Sequence, residues 1–499
     1  MSEFEAKLSR DLPRGVEGHE DKSPDVEWAR PANLHPKYRY DESGIYLGRR
    51  AVADGVIADI GWNDDRHVLL VAGSRAGKGR SFTNVNALRY SQGSMLIVDP
   101  KGELARKTAK QRRTYGDVVI IDPFGASGLS ESLGGWNPLD EISFDAEDVS
   151  QPIDDALSIA EAMIQAPKSG ETHWAEAAQG LVQALILFAK IMPQSEDRNL
   201  CTVRDLLMLG HGSVITHSAR GELEPLQALF DLMKVKGDEF AENNPHAVEV
   251  GFLIRDTGVT FGAMAEKELE SVLSTARTQT RFLNSPAIRA VLGSSALDLA
   301  ELKRGVVSLY LCLPAGRMGS HAKWLRVIIN MALIAFERET TKPPVPVLML
   351  LEEFPVLGHM RSIEVAAGNV AGFGVKLWTV VQDLSQLKDL YQSSWETFIG
   401  NAGVSIFFGN SDMTTLEYIS KKLGQRSMIV RVKSGASIKS IADGASGVNE
   451  SLQTVPLLAS HEVERMLDRE TKRALVMVAG RKPLIVERIF YDEELKHLL

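Results

Sequence analysis

Cysteine is nearly absent from this sequence. Only Cys201 and Cys312 occur in 499 residues, far apart and with no CxxC pair. Neither a zinc site nor a disulfide framework is indicated, and a reducing cytoplasm fits. Long apolar runs are also missing. LVQALILFAKIM (181–192) and LRVIINMALIAF (325–336) are the longest, and each carries a charge. Both fall short of the roughly 20 residues that a membrane helix needs. The opening MSEFEAKLSRDLPRG lacks the apolar stretch of a signal peptide. Excess positive charge is absent too, since the formal net charge is −9. That argues against a surface coated for nucleic acid, while leaving room for a basic channel inside an acidic shell. No internal repeat is present.

What remains is a globular composition, 44% hydrophobic and 24% charged. The length suits about two to four domains with a sizeable core. Residues 1–45 are polar and proline-punctuated and read as an arm. RHVLLVA (66–72) is an apolar run of strand type. A glycine-rich loop follows at once, and then SFTNVNALRY, which has helical potential. SMLIVDP and DVVIIDPFG read as two further strands. From 141 to 275 the chain reads mostly as helix, with apolar residues at three-four spacing in DDALSIAEAMIQA and THWAEAAQGLVQALILFAKI. Strand-type runs then return in GVVSLYLCLP, VPVLMLLEE, VKLWTVVQ, AGVSIFFG, RALVMVAG and PLIVERIF, several of them separated by helical segments. Strands alternating with helices predict an α/β protein with a parallel sheet covered on both faces. The simplest organisation is one nucleotide-binding domain over 46–140 and 276–499, interrupted by an all-helical domain at 141–275. VKSGASIKSIADGASGVNES (432–451) reads as an exposed loop.

The loop in VLLVAGSRAGKGRSF (68–82) departs from the phosphate-binding consensus GxxxxGK[ST]. Ala72 stands at the first glycine and Gly79 at the closing hydroxyl. Its strand–loop–helix context is still the one that a phosphate cradle requires. Backbone N–H groups over 73–79 would wrap a phosphate chain at the positive end of the next helix, with Lys78 reaching the outer phosphates. A plain glycine turn between strand and helix is the alternative.

Further candidates lie downstream. VLMLLEEF (347–354) is an apolar strand ending in two carboxylates, at the strand end where open parallel sheets bind ligands. Glu352 is assigned to a metal and Glu353 to polarising a water; a solvated turn is the alternative. Gln382 ends the strand of VKLWTVVQ, where it would sense a γ-phosphate or orient water, or only cap the strand. In EKELESVLSTARTQTRFL (266–283), Arg277 and Arg281 stand four apart on one face. They would contact a neighbouring subunit's nucleotide or a substrate, but from spacing alone a solvated face fits better. Arg106, Lys110 and Arg113 share a helical face that would suit a phosphate backbone, though a solvated face again fits better.

HVLLVAGSRAGKGRS, LIVDPKGELARKTAKQRR, IIDPFG, GWNPL, SVLSTARTQTRFL, LLEEFPVLGHM, GVKLWTVVQDLSQLKDLYQ and WETFIGNAGVSIFFGNSD run in order along the chain. In these stretches the sequence resembles the type IV secretion and conjugation coupling proteins, the TraG-like ATPases of the FtsK/HerA group. The resemblance implies a RecA-like P-loop NTPase core, an inserted helical domain and a six-subunit ring around a DNA-sized channel, with nucleotide between neighbours. Many TraG-like loops also read GKG, so Gly79 is similar to a feature of that branch. The implied site binds ATP and Mg²⁺ through Gly73, Ser74, Arg75, Ala76, Gly77, Lys78, Gly79, Arg80 and Ser81. Glu352, Glu353, Gln382 and Lys78 are the catalytic set. Ser81, Ser74 and Thr83 are the candidates to replace the missing hydroxyl.

Three departures stand out. Glu352 takes a place that is often aspartate. Ala371 occupies the place of a trans-acting arginine found in part of the family, which leaves Arg277 and Arg281 as candidates. Typical members carry an N-terminal membrane anchor where this sequence has a short polar arm; either an anchor has been lost or, as the favoured expectation, this is an anchorless member docking at the cytoplasmic face of the inner membrane through partners. The implied function is an ATP-driven motor that recruits relaxase–DNA or protein substrates into a type IV secretion channel, with single- or double-stranded DNA as a partner. A nucleotide-gated adaptor and a HerA-like cytosolic DNA translocase are the alternatives.

Overall fold

The computed structural model describes residues 28–29, 34, 36–53, 56–145, 148–166, 172–208, 225–433 and 448–499. Most of the expected arm (1–45) and most of the glycine- and serine-rich segment at 432–451 lie outside the described residues, but 36–45 do not form a free arm: Tyr38 is buried with its ring 5.1 Å from that of Trp62. In chain order the strands are β1 (Ile45–Ala53), β2 (Val56–Trp62), β3 (His67–Ala72), β4 (Met95–Asp99), β5 (Asp117–Ile121), β6 (Val307–Cys312) and β7 (Val347–Leu351). They continue as β8 (Val375–Val381), β9 (Ala402–Phe408), β10 (Gln425–Lys433), β11 (Val448–Pro456), β12 (Arg473–Val478) and β13 (Leu484–Glu487). The chain divides into two compact units. One holds the described residues of Met1–Gln92, Glu353–Pro355 and Lys376–Leu499; the other holds those of Gly93–Glu352 and Val356–Val375.

In the first unit the strands run in the order β2-β1-β13-β12-β9-β3-β8. β3 lies between β9 and β8 and is parallel to both. All three are buried at every position, which suits largely apolar strands covered on both faces. Beyond β9 the pairing turns antiparallel through β12, β13, β1 and β2. A wholly parallel sheet is therefore not what this unit builds. Residues 479–483 are too few for the crossover that parallel neighbours need, so RALVMVAG and PLIVERIF close as a hairpin. The β1–β2 hairpin gives little alternating signal in the sequence. It carries Arg49 and Arg50, and its register shifts at Tyr46/Gly48 and at Ala51/Ala53. β10 and β11 form a separate two-stranded ribbon.

The second unit orders its strands β7-β4-β6-β5, all parallel. Every described element between Gln151 and Val291 is helical. The helix His173–Lys190 buries Ala175 and Ala178 in its first half and every residue from Leu181 to Ala189 in its second, which is covered all round rather than on one three-four face. Helices Pro225–Asn243 and Val248–Gly262 meet through glycine. A Cβ on Gly237 would fall 2.5 Å from the Gly251 carbonyl oxygen, so any side chain there forces the backbones apart. The helix Ala315–Arg338 is tied to Gln151–Met163 by Arg338, whose Nη1 donates to Asp155 Oδ2 at 2.7 Å. Among the described residues, no helix is long and apolar enough to cross a membrane.

Candidate nucleotide site

The glycine-rich loop leaves the C-terminal end of β3 and enters a π-helical turn, Gly79–Thr83, continuous with the helix Asn84–Arg89. Arg75 (φ 57°) and Gly77 (φ 89°) adopt left-handed backbone, the kind of turn from which anion-binding concavities of backbone amides are built. The loop's carbonyls are engaged by the protein itself. Lys78 Nζ donates to Ala72 O at 3.1 Å and Ala76 N to Gly73 O at 3.2 Å. Arg488 Nη1 donates to Ala76 O at 2.8 Å, Ser81 Oγ to Gly77 O at 2.8 Å, and Asn84 Nδ2 to Gly79 O at 2.9 Å. Carbonyls turned inward would repel an anion. Here those of Ala72, Gly73, Ala76, Gly77 and Gly79 are occupied, and Lys78 adds a positive charge to the loop, so the arrangement fits a nucleotide's phosphate chain. Of the three candidate hydroxyls, Ser81 is buried and donates back into the loop, Thr83 is buried, and Ser74 is exposed at the loop's tip. Arg80 bonds to the C-terminal segment, with Nε to Asp492 at 2.7 Å, Nη2 to Glu493 at 2.8 Å, and Cζ 4.1 Å from the Phe490 ring centroid.

Neighbouring strands fix what flanks the loop. Val71 pairs with Val381 and Ala72 with Phe408, so Gln382 and Gly409 leave the sheet on either side of the loop's start. The packing is close there. A Cβ on Gly73 would lie 2.0 Å from the Gly409 carbonyl oxygen. Gln382 Nε2 donates to Glu353 Oε2 at 3.2 Å, and its carbonyl accepts from Asn410 Nδ2 at 3.1 Å. Asn410 is 4% exposed, and its Oδ1 has no hydrogen-bond partner among the described residues. Glu353 is half-buried and sits at φ 52°, a left-handed conformation that a glutamate adopts at a cost. Glu352 follows β7 in the other unit and is half-buried.

The structure thus brings together the loop, Gln382 and Glu353 in one unit. Arg277 and Arg281 belong to the other. Arg277 Nε donates to the Leu207 carbonyl at 2.7 Å, whereas Arg281 is exposed where a 3-10 turn begins. Arg106 donates to the Ser127 carbonyl and Arg113 Nε to Ser132 Oγ, so the basic helix Glu103–Arg112 uses part of its charged face for local packing. Asn410 and Arg488 were not legible as site residues. Asn410 has only its place after a strand to mark it, and Arg488 lies more than 400 residues from the loop that it touches. Among the described residues, no group of three or more His, Cys, Asp or Glu side chains is arranged to hold a metal ion.

Residues 30–496 match the family model described as "Type IV secretory system Conjugative DNA transfer". The chain belongs to that family. The conjugal transfer protein TraG of Escherichia coli is 28% identical over 449 residues, which cover 86% of this chain and 66% of TraG. Protein VirD4 of Rhizobium radiobacter is 27% identical over 441 residues, covering 87% of this chain and 58% of VirD4. The chain therefore spans about three-fifths to two-thirds of the length of these family members. Among solved structures, the bacterial conjugative coupling protein TrwBdeltaN70 in complex with sulphate aligns at a TM-score of 0.62 and 13% identity, covering 95% of this chain and 96% of that one. TrwB in complex with ADP and Mg²⁺ aligns at 0.58 and 13%, covering 85% of each. At that identity the likeness concerns the fold alone, a mixed α/β architecture with a large sheet.

Proposed function

We propose that this chain is an ATP-driven coupling protein of conjugative DNA transfer, an ATPase that recruits relaxase–DNA or protein substrates and drives them into a type IV secretion channel. The observation that carries the reading is the glycine-rich loop set beside Gln382 and, through it, Glu353. Family membership and the nucleotide complexes of TrwB support it. Bound ATP with Mg²⁺ would supply the phosphoanhydride to be cleaved. The loop amides over 73–79 hold its phosphates, and Lys78 moves from the Ala72 carbonyl to the outer phosphates. Glu353 takes the proton of the attacking water, and Gln382 keeps its carboxylate aimed. Copies of the chain assemble as a six-membered ring through which DNA passes. Its phosphates are held without sequence preference. The ring docks at the cytoplasmic face of the inner membrane through the secretion machinery.

The test is steady-state ATPase activity with and without single-stranded DNA, with the mass in solution read alongside. DNA-stimulated turnover with a six-subunit mass, abolished by Lys78→Ala, is the expected result. Tight ATP binding with neither turnover nor a DNA response would replace the motor with a nucleotide-gated adaptor.

A further inference from the structure

We propose that Arg488 is a positioning residue of the nucleotide site: it grips the Ala76 carbonyl from behind the glycine-rich loop and so keeps the Gly77 N–H turned toward the phosphates. The inference rests on the loop being the ATP site.

Arg488 directly follows β13 and is 2% exposed. Nη1 donates to Ala76 O at 2.8 Å and Nη2 to Arg469 O at 2.7 Å. Its Cζ lies 4.3 Å from the Phe408 ring centroid, and Phe408 stacks on Phe82 with centroids 5.3 Å apart. Phe82 belongs to the π-helical turn that follows the loop. The guanidinium is therefore clamped between the loop, the end of β9 and the Arg469 turn.

A trans peptide is planar, so the C=O of Ala76 and the N–H of Gly77 point in opposite directions. A donor that captures the carbonyl on one side thereby sets the amide on the other. Gly77, with φ 89° and no side chain, has the freest backbone of the loop and gains most from such a hold. The acceptors of Arg488 are both backbone carbonyls, and no carboxylate forms an ion pair with it among the described residues. Burying a charge without a directly paired carboxylate is costly, and the more distant Asp468 offsets only part of that cost. That cost is intelligible where an anion is to be bound, because a fixed cation behind a cradle of amides adds to its positive potential. Burial pushes the Arg488 pKa down to about 10, so the group stays charged at neutral pH.

The test measures the affinity of a fluorescent ADP analogue and the unfolding midpoint of the unliganded protein. It compares wild type, Lys78→Ala, Arg488→Met, Arg488→Lys and Phe490→Leu. Arg488→Met keeps an unbranched stem without donors, and loses about tenfold or more in affinity, the scale of a hydrogen bond from a charged group. Arg488→Lys restores part of that loss. Phe490→Leu removes the ring that lies 6.0 Å from Arg488 Cζ and 4.1 Å from Arg80 Cζ, loosens the same C-terminal segment and leaves both Arg488 donors in place, so its loss is smaller than that of Arg488→Met. Wild-type affinity in Arg488→Met, with Lys78→Ala impaired, overturns the role of Arg488 and leaves the ATP site standing. An equal loss in Phe490→Leu assigns the effect to packing and also overturns it. If Lys78→Ala binds as well as wild type, the reading of the loop falls and this inference falls with it. Should Arg488→Met fail to fold, Arg488→Lys set against Phe490→Leu separates the same outcomes.

Discussion

Gln382 donates from Nε2 to Oε2 of Glu353 at 3.2 Å, and the glutamate that receives this bond holds a left-handed backbone at φ 52°. The two residues come from different strand ends, 29 positions apart. A carboxylate held by a neighbouring amide and by its own strained backbone is restricted in where it can point. That is the requirement of a general base.

Glu353→Gln keeps the shape and removes the base. ATPase turnover should fall by roughly 10²–10⁴, the range of general-base contributions, while ATP binding persists. Gln382→Ala leaves the carboxylate in place but unaimed. A smaller loss in kcat with little change in KM is expected. Equal losses in both variants would mean that Gln382 contacts the reacting groups itself.

The backbone at position 353 makes a separate prediction about stability. Glycine adopts φ 52° freely and a β-branched residue does not. Glu353→Gly should unfold in urea at or above the wild-type midpoint, although it is inactive. Glu353→Val should lose about 1–3 kcal/mol. The reverse order would mean that the left-handed conformation relaxes in solution.

Gly73 and Gly79 sit in the same loop under different constraints. A Cβ at Gly73 would lie 2.0 Å from a backbone oxygen, whereas one at Gly79 would meet only Asn84 Nδ2 at 3.5 Å and Thr83 Oγ1 at 3.9 Å, both ordinary contacts. Gly73→Ala should cost about 1–3 kcal/mol through forced backbone movement and weaken nucleotide binding. Gly79→Thr supplies the consensus hydroxyl. It should fold normally and require less Mg²⁺ for half-maximal ATPase activity. An unchanged Mg²⁺ requirement would show that the cation is not reached from position 79.

Lys376, on β8, is 1% exposed, and burial pushes its pKa down to about 8 from 10.5, partly offset by Asp64 and Asp65. Between pH 8 and 10.5 the unfolded chain therefore binds more protons than the folded one. For this group stability rises with pH through that window, and below pH 8 the full cost of burying it remains. Lys376→Met should be more stable than wild type at pH 7 by about 3 kcal/mol, the equivalent of holding the pKa at about 8 rather than 10.5. The gap should close as pH approaches 10.5. Urea denaturation at pH 7 and pH 10 measures it, and a gap independent of pH would exclude the lysine's charge as its cause.

Arg277 and Arg281 should separate by phenotype. Arg277 bonds to the Leu207 carbonyl, so Arg277→Ala should destabilise the chain by about 1–3 kcal/mol through an orphaned acceptor. Arg281 is exposed. Arg281→Ala should leave stability within about 0.5 kcal/mol. If it serves a neighbouring subunit's nucleotide, the same change should cut ATPase activity of the assembled ring by about 10³. A ring that keeps full turnover would leave Arg281 as a solvated side chain.

Much of this protein can be read locally. A strand, a loop and a helix in succession marked the glycine-rich cradle, because periodicity and glycine spacing act over about a dozen residues. Three-four spacing marked the helices between Gln151 and Val291 for the same reason. The carboxylates at 352–353 and Gln382 were legible because each ends an apolar strand. The β1–β2 hairpin and the antiparallel β12–β13 pair were harder to see. Arg49, Arg50 and two register shifts blur the first, and an isolated apolar strand carries no information about the direction of its partner.

By itself, then, the sequence determined the elements and the kinds of side chain at their ends, since those depend on neighbours along the chain. Only the tertiary structure decided which ends meet. It set Gly73 against Gly409, Gln382 against Glu353, and Arg488 against Ala76 at a separation of 412 residues. Such pairings depend on strand order and on how closely two backbones can approach. These are properties of the packed sheet that no stretch of sequence contains.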